Sequence, residues 1–283
     1  MLQGRTALIT GGNGRFGHAV ARLFAEEGAD VVLADITFAP ADPTDQRTGP
    51  AAAALADTTT YIESLGRRVL TVQADVTREQ DCVAMVDFAV EALGEIDILC
   101  ANAGTFTMAP AWQMTEQEWD KVLDLNVKGV WLSTKYVIPR MMARRYGKIV
   151  ITSSRDGLRA EPNYAHYCAS KFGVIGYMKS LAIELGPYDV NVNAVCPTQM
   201  ATRGETPTGV TTHPYWDQVV GQAGATYAEF NRASGEENLL PGDGQPDYAE
   251  IAEGVVWLAS DRSHMLTGHA LPMDAGWIAK RGG

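Results

Sequence analysis

Short apolar runs alternate with longer amphipathic stretches along most of the chain. The runs predict buried strands at residues 6–10, 31–34, 69–72, 96–100, 148–152, 190–195 and 268–274. The stretches between them predict helices, which include residues 51–65, 79–93 and, as the last helix, 248–259. Strands that alternate with helices at this spacing form a parallel sheet with helices on both faces. We therefore predict one doubly wound, Rossmann-type α/β domain over residues 1–283, because no repeat or linker divides the chain.

A further long helix is predicted where Thr115 and Glu118 have the spacing of a capping box. Asn126 interrupts the apolar face of this helix, and the helical pattern resumes over residues 131–142. A buried amide costs free energy unless its hydrogen bonds are satisfied. Two interpretations stay open: Asn126 caps or kinks the helix, or it holds a water that links Lys171 to solvent.

Glycines separate the first strand from the first helix, in the pattern Gly12-x-Gly14-x-x-Gly17. Glycine lets the backbone approach a pyrophosphate closely. The N-terminus of the helix adds free N–H groups and the positive end of its dipole. A strand, a glycine loop and a helix in this order predict a phosphate site for a dinucleotide.

An acidic residue, Asp35, ends the second predicted strand. A carboxylate in this position accepts hydrogen bonds from the ribose hydroxyls of NAD, and it repels the 2′-phosphate of NADP. No arginine follows Asp35 before Arg47, so the sequence predicts NAD. Residues 37–50 are rich in Pro, Asp and Thr, and they predict an insertion loop near the adenosine.

Other predicted strands also end in polar or small residues, namely Asp75 and the run Asn102-Ala103-Gly104. Ligands of parallel sheets bind at the carboxyl ends of the strands. The glycine loop, Asp35 and these residues therefore belong to one predicted site.

Candidate chemistry lies between the fifth predicted strand and the helix that runs to about Gly186. Tyr167 and Lys171 are four residues apart, so they share one face of that helix. A neighbouring cation lowers the pKa of a phenol, which is about 10 when unperturbed. Lowering this pKa by about 3 units takes roughly 4 kcal/mol, so we predict a second positive charge, that of an oxidised nicotinamide. Ser154 is then the hydrogen-bond partner of the reacting oxygen.

The pair of Tyr167 and Lys171 has an ordinary alternative, because a tyrosine one helical turn before a lysine is typical of a solvated helix surface.

Residues 203–245 also leave two interpretations open. They are rich in Gly, Pro, Thr and Glu, and they follow the carboxyl end of a strand, which predicts a mobile, partly helical substrate lid. The aromatic residues of this segment fit internal packing or an interface equally well; they include Tyr215, Trp216, Tyr227 and Phe230.

Charge and cysteine content exclude several classes of protein. The formal net charge of −11 argues against nucleic-acid binding, which requires a basic face. The four cysteines form no CxxC pair and indicate buried, reduced thiols in a cytoplasmic protein without a metal site. The first strand pattern starts too early for a signal peptide, and no apolar run approaches the ~18 residues of a membrane span, so no membrane association is expected.

These motifs resemble, over essentially the whole chain and in the same order, those of the short-chain dehydrogenase/reductase superfamily. The motifs are Thr10-Gly11, Asp75, Asn102-Ala103-Gly104, Asn126, Ser154, Tyr167-x-x-x-Lys171 and Pro197. Softer segments are similar to the carveol-dehydrogenase-like, mycofactocin-associated branch; they are the insertion after Asp35 and residues 162–167, 196–198 and 256–261. Members of that branch oxidise hydrophobic alcohols, often cyclic terpenoids, and hold NAD tightly.

The resemblance implies an NAD-dependent dehydrogenase of a hydrophobic secondary alcohol, assembled as a homotetramer. The implied catalytic tetrad is Asn126, Ser154, Tyr167 and Lys171. The residues predicted or implied to bind NAD are Gly11, Asn13, Gly14, Arg15, Phe16, Gly17, Asp35, Ile36, Asp75, Val76, Asn102, Ala103, Gly104, Tyr167, Lys171, Pro197, Met200 and Thr202.

Two residues depart from the superfamily pattern. Arg15 stands where a glycine is usual, and it either pairs with the pyrophosphate or shifts the path of the loop. Thr198 replaces the glycine that usually follows Pro197. The alternatives to a terpenoid-type alcohol dehydrogenase are a dehydrogenase of dihydrodiols or sugars, a ketoreductase, and a non-catalytic NAD-binding regulator.

Overall fold

The computed structural model describes residues 1–38, 48–200, 214–240 and 245–280. A single parallel sheet lies at the centre of this part of the chain. Its strands are β1 (Thr6–Thr10), β2 (Asp30–Asp35), β3 (Val69–Gln73), β4 (Ile98–Ala101), β5 (Gly147–Thr152), β6 (Val190–Pro197) and β7 (Ala270–Met273). They are arranged in the order β3-β2-β1-β4-β5-β6-β7, and every neighbouring pair is parallel. The predicted doubly wound sheet is confirmed.

Helices connect the strands and cover both faces of the sheet. They are α1 (Arg15–Glu26), α2 (Thr48–Ser64), α3 (Glu79–Leu93), α4 (Glu116–Leu123), α5 (Gly129–Lys135), α6 (Ile138–Arg144), α7 (Ala165–Leu185), α8 (Pro214–Val220), α9 (Tyr227–Glu236), α10 (Tyr248–Ala259) and α11 (Trp277–Lys280). Within the described ranges, no helix is both long and apolar enough to cross a membrane.

Two apolar layers hold the sheet, one on each face. On β1, Leu8 packs into the layer of α3 and α7, and Ile9 packs into the layer of α1 and α10. Successive strand residues point to opposite faces, and a parallel sheet covered on both sides needs apolar residues at both positions. The faces of the sheet are therefore filled, and the carboxyl ends of its strands are left to form a site.

The predicted interruption at Asn126 is a π-helical turn, Asp124–Lys128, between α4 and α5. The helix before it begins with the predicted capping box, in which Thr115 and Glu118 bond to each other's backbone N–H. Wide turns of this kind inside helices are frequent at functional sites.

Several predicted bounds differ from those of the structure, and the structure adds one helix after the predicted last one. Strand β4 begins at Ile98 rather than at residue 96. Asp97 lies just before it, and its carboxylate accepts the Thr6 N–H at 3.1 Å. Helix α2 already begins at Thr48, inside the predicted insertion loop. Helix α10 is not the last, because the Asp274 carboxylate accepts the N–H groups of the following residues at 3.0 and 2.9 Å and starts α11.

Candidate active site

A cavity of about 640 Å³ lies at the carboxyl ends of the central strands. Most of the site residues predicted from the sequence line it together: Gly11, Gly14, Arg15, Phe16, Gly17, Asp35, Ile36, Asp75, Val76, Asn102, Ala103, Gly104, Ser154, Tyr167, Lys171, Pro197 and Met200. Asn13 and Asn126 contribute through hydrogen bonds to lining residues. Thr202 lies outside the described residues, as do residues 39–47 of the insertion and 201–213 and 241–244 around the predicted lid.

The glycine loop needs its glycines for two different reasons. Gly11 has φ +66°, and a Cβ on it would lie 2.9 Å from the Ala103 Cα. A Cβ on Gly17 would lie only 2.3 Å from the Gly11 carbonyl oxygen, so Gly17 lets α1 pack directly on the loop. No side chain caps the start of α1. This close-packed loop with an uncapped helix start fits a pyrophosphate.

Asp35 ends β2 on the wall of this cavity. Its Oδ2 accepts the Asn13 N–H at 2.9 Å, and Asn13 in turn donates its side-chain amide to the Thr37 carbonyl at 2.9 Å. Burial raises the pKa of the Asp35 carboxyl, and the backbone N–H groups that it accepts oppose this rise. The carboxylate is thus fixed at the strand end, with acceptor capacity left for a ribose.

Asn102 joins three strands at the floor of the cavity. Its N–H donates to the Thr10 Oγ1 at 3.0 Å, and its side-chain amide donates to the Gly11 carbonyl at 3.3 Å. Its Oδ1 accepts from the Thr152 hydroxyl at 3.2 Å. Asp75 is held in a similar way, since its Oδ1 accepts the N–H and the hydroxyl of Thr77 at 2.9 and 2.7 Å.

Tyr167 and Lys171 lie one turn apart on α7, with the Lys171 Nζ 5.5 Å from the centroid of the Tyr167 ring. Lys171 is not on a solvated surface: it is 5% exposed, and its Nζ donates to the Thr152 carbonyl at 2.9 Å. Ser154 follows β5 at the start of a short turn and lines the same cavity as Tyr167. The structure therefore brings the three polar groups together at one point of the cavity.

Burial has the largest effect on the pKa values of Tyr167 and Lys171. Burial raises the pKa of Tyr167, the charge of Asp156 raises it further, and the hydrogen bond from Ser154 lowers it. Burial also lowers the pKa of Lys171 to about 8. Among this chain's own residues, desolvation outweighs the neighbouring ammonium. That Lys171 and an oxidised nicotinamide together lower the pKa of Tyr167 stays a prediction.

Asn126 is buried and fully bonded. Its Oδ1 accepts the Thr105 N–H at 2.8 Å, and its Nδ2 donates to the Thr105 carbonyl at 2.9 Å and to the Ser170 Oγ at 3.0 Å. Ser170 in turn donates to the Tyr167 carbonyl at 2.7 Å. Asn126 thus ties the π-helical turn to α7 beside the tyrosine; its role in holding a water stays a prediction.

A second cavity of about 440 Å³ opens beside the first, and Ser154 and Tyr167 line both. Helices α8 and α9 supply an aromatic wall on its far side, in which Trp216 lies 5.4 Å from Tyr227 and 5.9 Å from Phe230 between ring centroids. The aromatic residues of the predicted lid therefore pack together and also line a cavity.

Three residues without a predicted role lie beside Ser154 in the structure. Arg155 is buried, donates to the Thr198 hydroxyl at 2.8 Å and stacks 4.0 Å from the centre of the Trp277 ring. Asp156 lines the second cavity next to it. The available signal was a pair of opposite charges directly after a buried strand. Thr198 had been noted only as a departure from the superfamily pattern.

Among the described residues, no three His, Cys, Asp or Glu side chains gather where they could hold a metal ion. All four cysteines are buried and free of disulfide bonds.

Comparisons with known proteins agree with this geometry. The family model described as short chain dehydrogenase matches residues 5–211. A (−)-trans-carveol dehydrogenase from Rhodococcus erythropolis is 36% identical over 282 residues, 99% of each chain. The crystal structure of carveol dehydrogenase from Mycobacterium avium in complex with NAD is similar at a TM-score of 0.86 and 35% identity, covering 98% of this chain and 99% of that one.

A levodione reductase structure is also similar, at a TM-score of 0.81 and 29% identity over 99% of both chains. The predicted resemblance is confirmed by a family match to most of the chain and by relatives of the same length. The chain belongs to the short chain dehydrogenase family.

Proposed function

We propose that this chain interconverts a hydrophobic, cyclic, terpenoid-like secondary alcohol and its ketone, with NAD as the hydride carrier. The observation that carries the proposal is the shared wall of the two cavities, because Ser154 and Tyr167 line both. One cavity has the glycine loop and Asp35, and the other has an aromatic wall. A reaction between a dinucleotide and an apolar alcohol requires such a junction.

The prediction that the cofactor is NAD is confirmed at the level of the family, since the M. avium relative was solved with it. When bound, NAD supplies the hydride acceptor. In this chain the loop from Gly11 to Gly17 would hold the pyrophosphate, and Asp35 would hold the adenosine ribose. Asp35 disfavours NADP by placing a negative charge where NADP carries its 2′-phosphate.

The proton is handled by the groups at the junction. Tyr167 takes the proton of the alcohol as general base and returns it in the reverse direction. Ser154 orients the reacting oxygen by a hydrogen bond. Lys171, held by the Thr152 carbonyl, places a buried cation beside the phenol, where it favours the phenolate against the opposing effect of burial. Asn126 holds the start of this segment of α7 in place through Ser170.

An assay of NADH formation tests the proposal. Purified protein is mixed with NAD and a panel of cyclic terpenoid secondary alcohols, and the near-ultraviolet absorbance of NADH is followed. A parallel series with an artificial electron acceptor detects turnover by a cofactor that never leaves. The proposal predicts turnover of at least one alcohol in one of the two series. Binding of NAD without any turnover would favour the non-catalytic regulator instead.

The homotetramer and the cytoplasmic location stay predictions. Analytical ultracentrifugation measures the first: a species of four times the chain mass supports it, and a monomer contradicts it.

A further inference from the structure

The Asp156 carboxylate lies on the wall of the second cavity, in the short turn that starts at Ser154. Only 13% of its side chain is exposed. From the described residues it accepts one long hydrogen bond, from the Ser154 hydroxyl to Oδ2 at 3.4 Å. The Oδ1 atom is itself buried and accepts none, so a molecule in the cavity would meet Oδ2. An ionised carboxylate can accept about four hydrogen bonds, so this one is short of donors.

The nearest cation does not supply them. The Arg155 Nε lies 3.8 Å from the Asp156 Oδ1, which is too far for a hydrogen bond. The guanidinium instead donates to Thr198, lies 3.8 Å from the Glu161 carboxylate and stacks on the Trp277 ring. Arg155 therefore balances charge in this region and leaves the acceptor capacity of Asp156 unused.

The surroundings of Asp156 make this capacity selective. Among the described residues that line the second cavity, Asp156 is the only acid, and the far wall is formed by Trp216, Tyr227 and Phe230. An alcohol bound here meets apolar rings on one side. Only a substituent that can donate a hydrogen bond is favoured at the position of Asp156, because a purely apolar group there would leave the carboxylate without donors.

The distance to Ser154 sets where that substituent lies. In the proposed function, Ser154 contacts the reacting oxygen, and the same hydroxyl touches the Asp156 carboxylate. Because the Ser154 Oγ and the Asp156 Oδ2 are only 3.4 Å apart, a donor on the carbon next to the carbinol can reach Asp156 from a substrate anchored at Ser154. We propose that Asp156 is a specificity-determining residue that accepts a hydrogen bond from a second hydroxyl of the substrate, which is a cyclic vicinal diol. This inference rests on the proposed function and narrows its substrate class.

Three probes on one ring skeleton test the inference: cyclohexanol, 1,2-cyclohexanediol and 2-methoxycyclohexanol, with the cis and trans isomers assayed separately. The methyl ether keeps the second oxygen but removes its proton. We expect kcat/KM with NAD to be about 10- to 100-fold higher for one isomer of the diol than for cyclohexanol or the ether, the range of a hydrogen bond to a charged group.

Two variants assign the preference to Asp156. Asp156→Ala should lower the kcat/KM ratio of the diol to cyclohexanol to about one, because the extra contact is lost. The variant also removes a charge that raises the pKa of Tyr167, but this change acts on both substrates and cancels in the ratio. Asp156→Asn keeps the size and one carbonyl acceptor, and it should retain part of the preference. Thermal unfolding of both variants shows whether they fold as the parent does.

The outcomes separate the two proposals. Equal kcat/KM for the diol, the ether and cyclohexanol would overturn the inference and leave the proposed function standing. An equal loss for diol and cyclohexanol in Asp156→Ala would assign Asp156 a structural role and also overturn it. No turnover of any alcohol, here or in the terpenoid panel, would contradict the proposed function itself.

Discussion

The two sides of the active-site cavity are built in different ways. On the cofactor side, backbone atoms make most of the surface, since Gly11 and Gly17 let main chains meet at distances that a Cβ would forbid. Asn102, at the end of β4, bonds to the ends of β1 and β5. On the substrate side, side chains make the surface, with aromatic rings from α8 and α9 and the carboxylate of Asp156.

This difference decides how easily the residues of each side can change and which kind of ligand each side suits. A backbone cradle tolerates few residue types, so it suits a ligand that stays the same, such as a dinucleotide. A wall of side chains can change one residue at a time without disturbing the sheet, so it suits a substrate that differs among relatives. The tyrosine between the two sides belongs to neither, and it should be the most sensitive position.

Replacing that tyrosine should have the largest effect. Tyr167→Phe removes the general base, and we expect kcat to fall by about 10²- to 10⁴-fold while NAD binding persists. The matched control is Tyr177→Phe on the same helix. The Tyr177 hydroxyl lies 2.6 Å from the Thr134 hydroxyl and does not line either cavity. Steady-state kinetics and NAD titration measure both; retention of more than about a tenth of kcat in Tyr167→Phe would rule out this base.

On the cofactor side, a substitution in the glycine loop should reduce both stability and NAD binding. In Gly17→Ala the new Cβ meets the Gly11 carbonyl oxygen at 2.3 Å, and we expect a loss of about 1–3 kcal/mol in unfolding free energy together with weaker NAD binding. Gly176→Ala on α7 is the control, because apart from the adjoining turns of α7 no atom of the described residues lies within 4 Å of the new Cβ. This variant should gain up to about 1 kcal/mol in unfolding free energy. Urea unfolding distinguishes them, and equal stabilities would contradict the close-contact argument.

Replacing Asp35 tests whether one side chain on the cofactor side sets the preference for NAD over NADP. Asp35→Ala should lower kcat/KM for NAD by about 10- to 100-fold and affect NADP less, because the charge that repels the 2′-phosphate is gone. Asp30→Ala, at the other end of β2, removes a carboxylate that pairs with Arg68 at 2.7 Å. It should leave the NAD-to-NADP ratio unchanged, and a parallel shift in both variants would count against a ribose contact.

The smallest effect concerns pH on the substrate side. Burial raises the pKa of Asp156 to about 6, with Arg155 and Lys171 opposing this rise and Glu161 adding to it. As the pH falls through about 6, the carboxylate gains a proton and loses its charge. The kcat/KM ratio of diol to cyclohexanol should then decrease by a few fold. Tyr167 affects both substrates alike, so it cancels in the ratio; a pH-independent ratio would contradict the role of Asp156.

Sequence alone predicts the cofactor side well because physical constraints on the backbone leave few choices of residue. The strand ends, the glycine loop, Asp35 and the interruption at Asn126 all follow from such constraints, and the structure places them as expected. The start of α2 at Thr48 was missed, because propensity is a weak guide at helix ends.

The substrate side could be predicted only in outline. Trp216 and Phe230 were recognised as aromatic, but their stacking depends on how α8 and α9 fold back on Tyr164, which no local pattern encodes. The proposed role of Asp156 depends on how few hydrogen-bond donors lie near its carboxylate, and the sequence does not show these distances. The raised pKa of Tyr167 depends on burial, which sequence spacing to Lys171 does not report.

The central claim is that an alcohol on the substrate side passes a hydride to NAD on the cofactor side. Deuterium at the carbinol carbon of a turned-over alcohol tests it most directly, with the reduced cofactor analysed by mass spectrometry. We predict that the reduced cofactor carries one deuterium per molecule. Reduced cofactor without deuterium would show that the carbinol carbon is not the donor and would contradict the account.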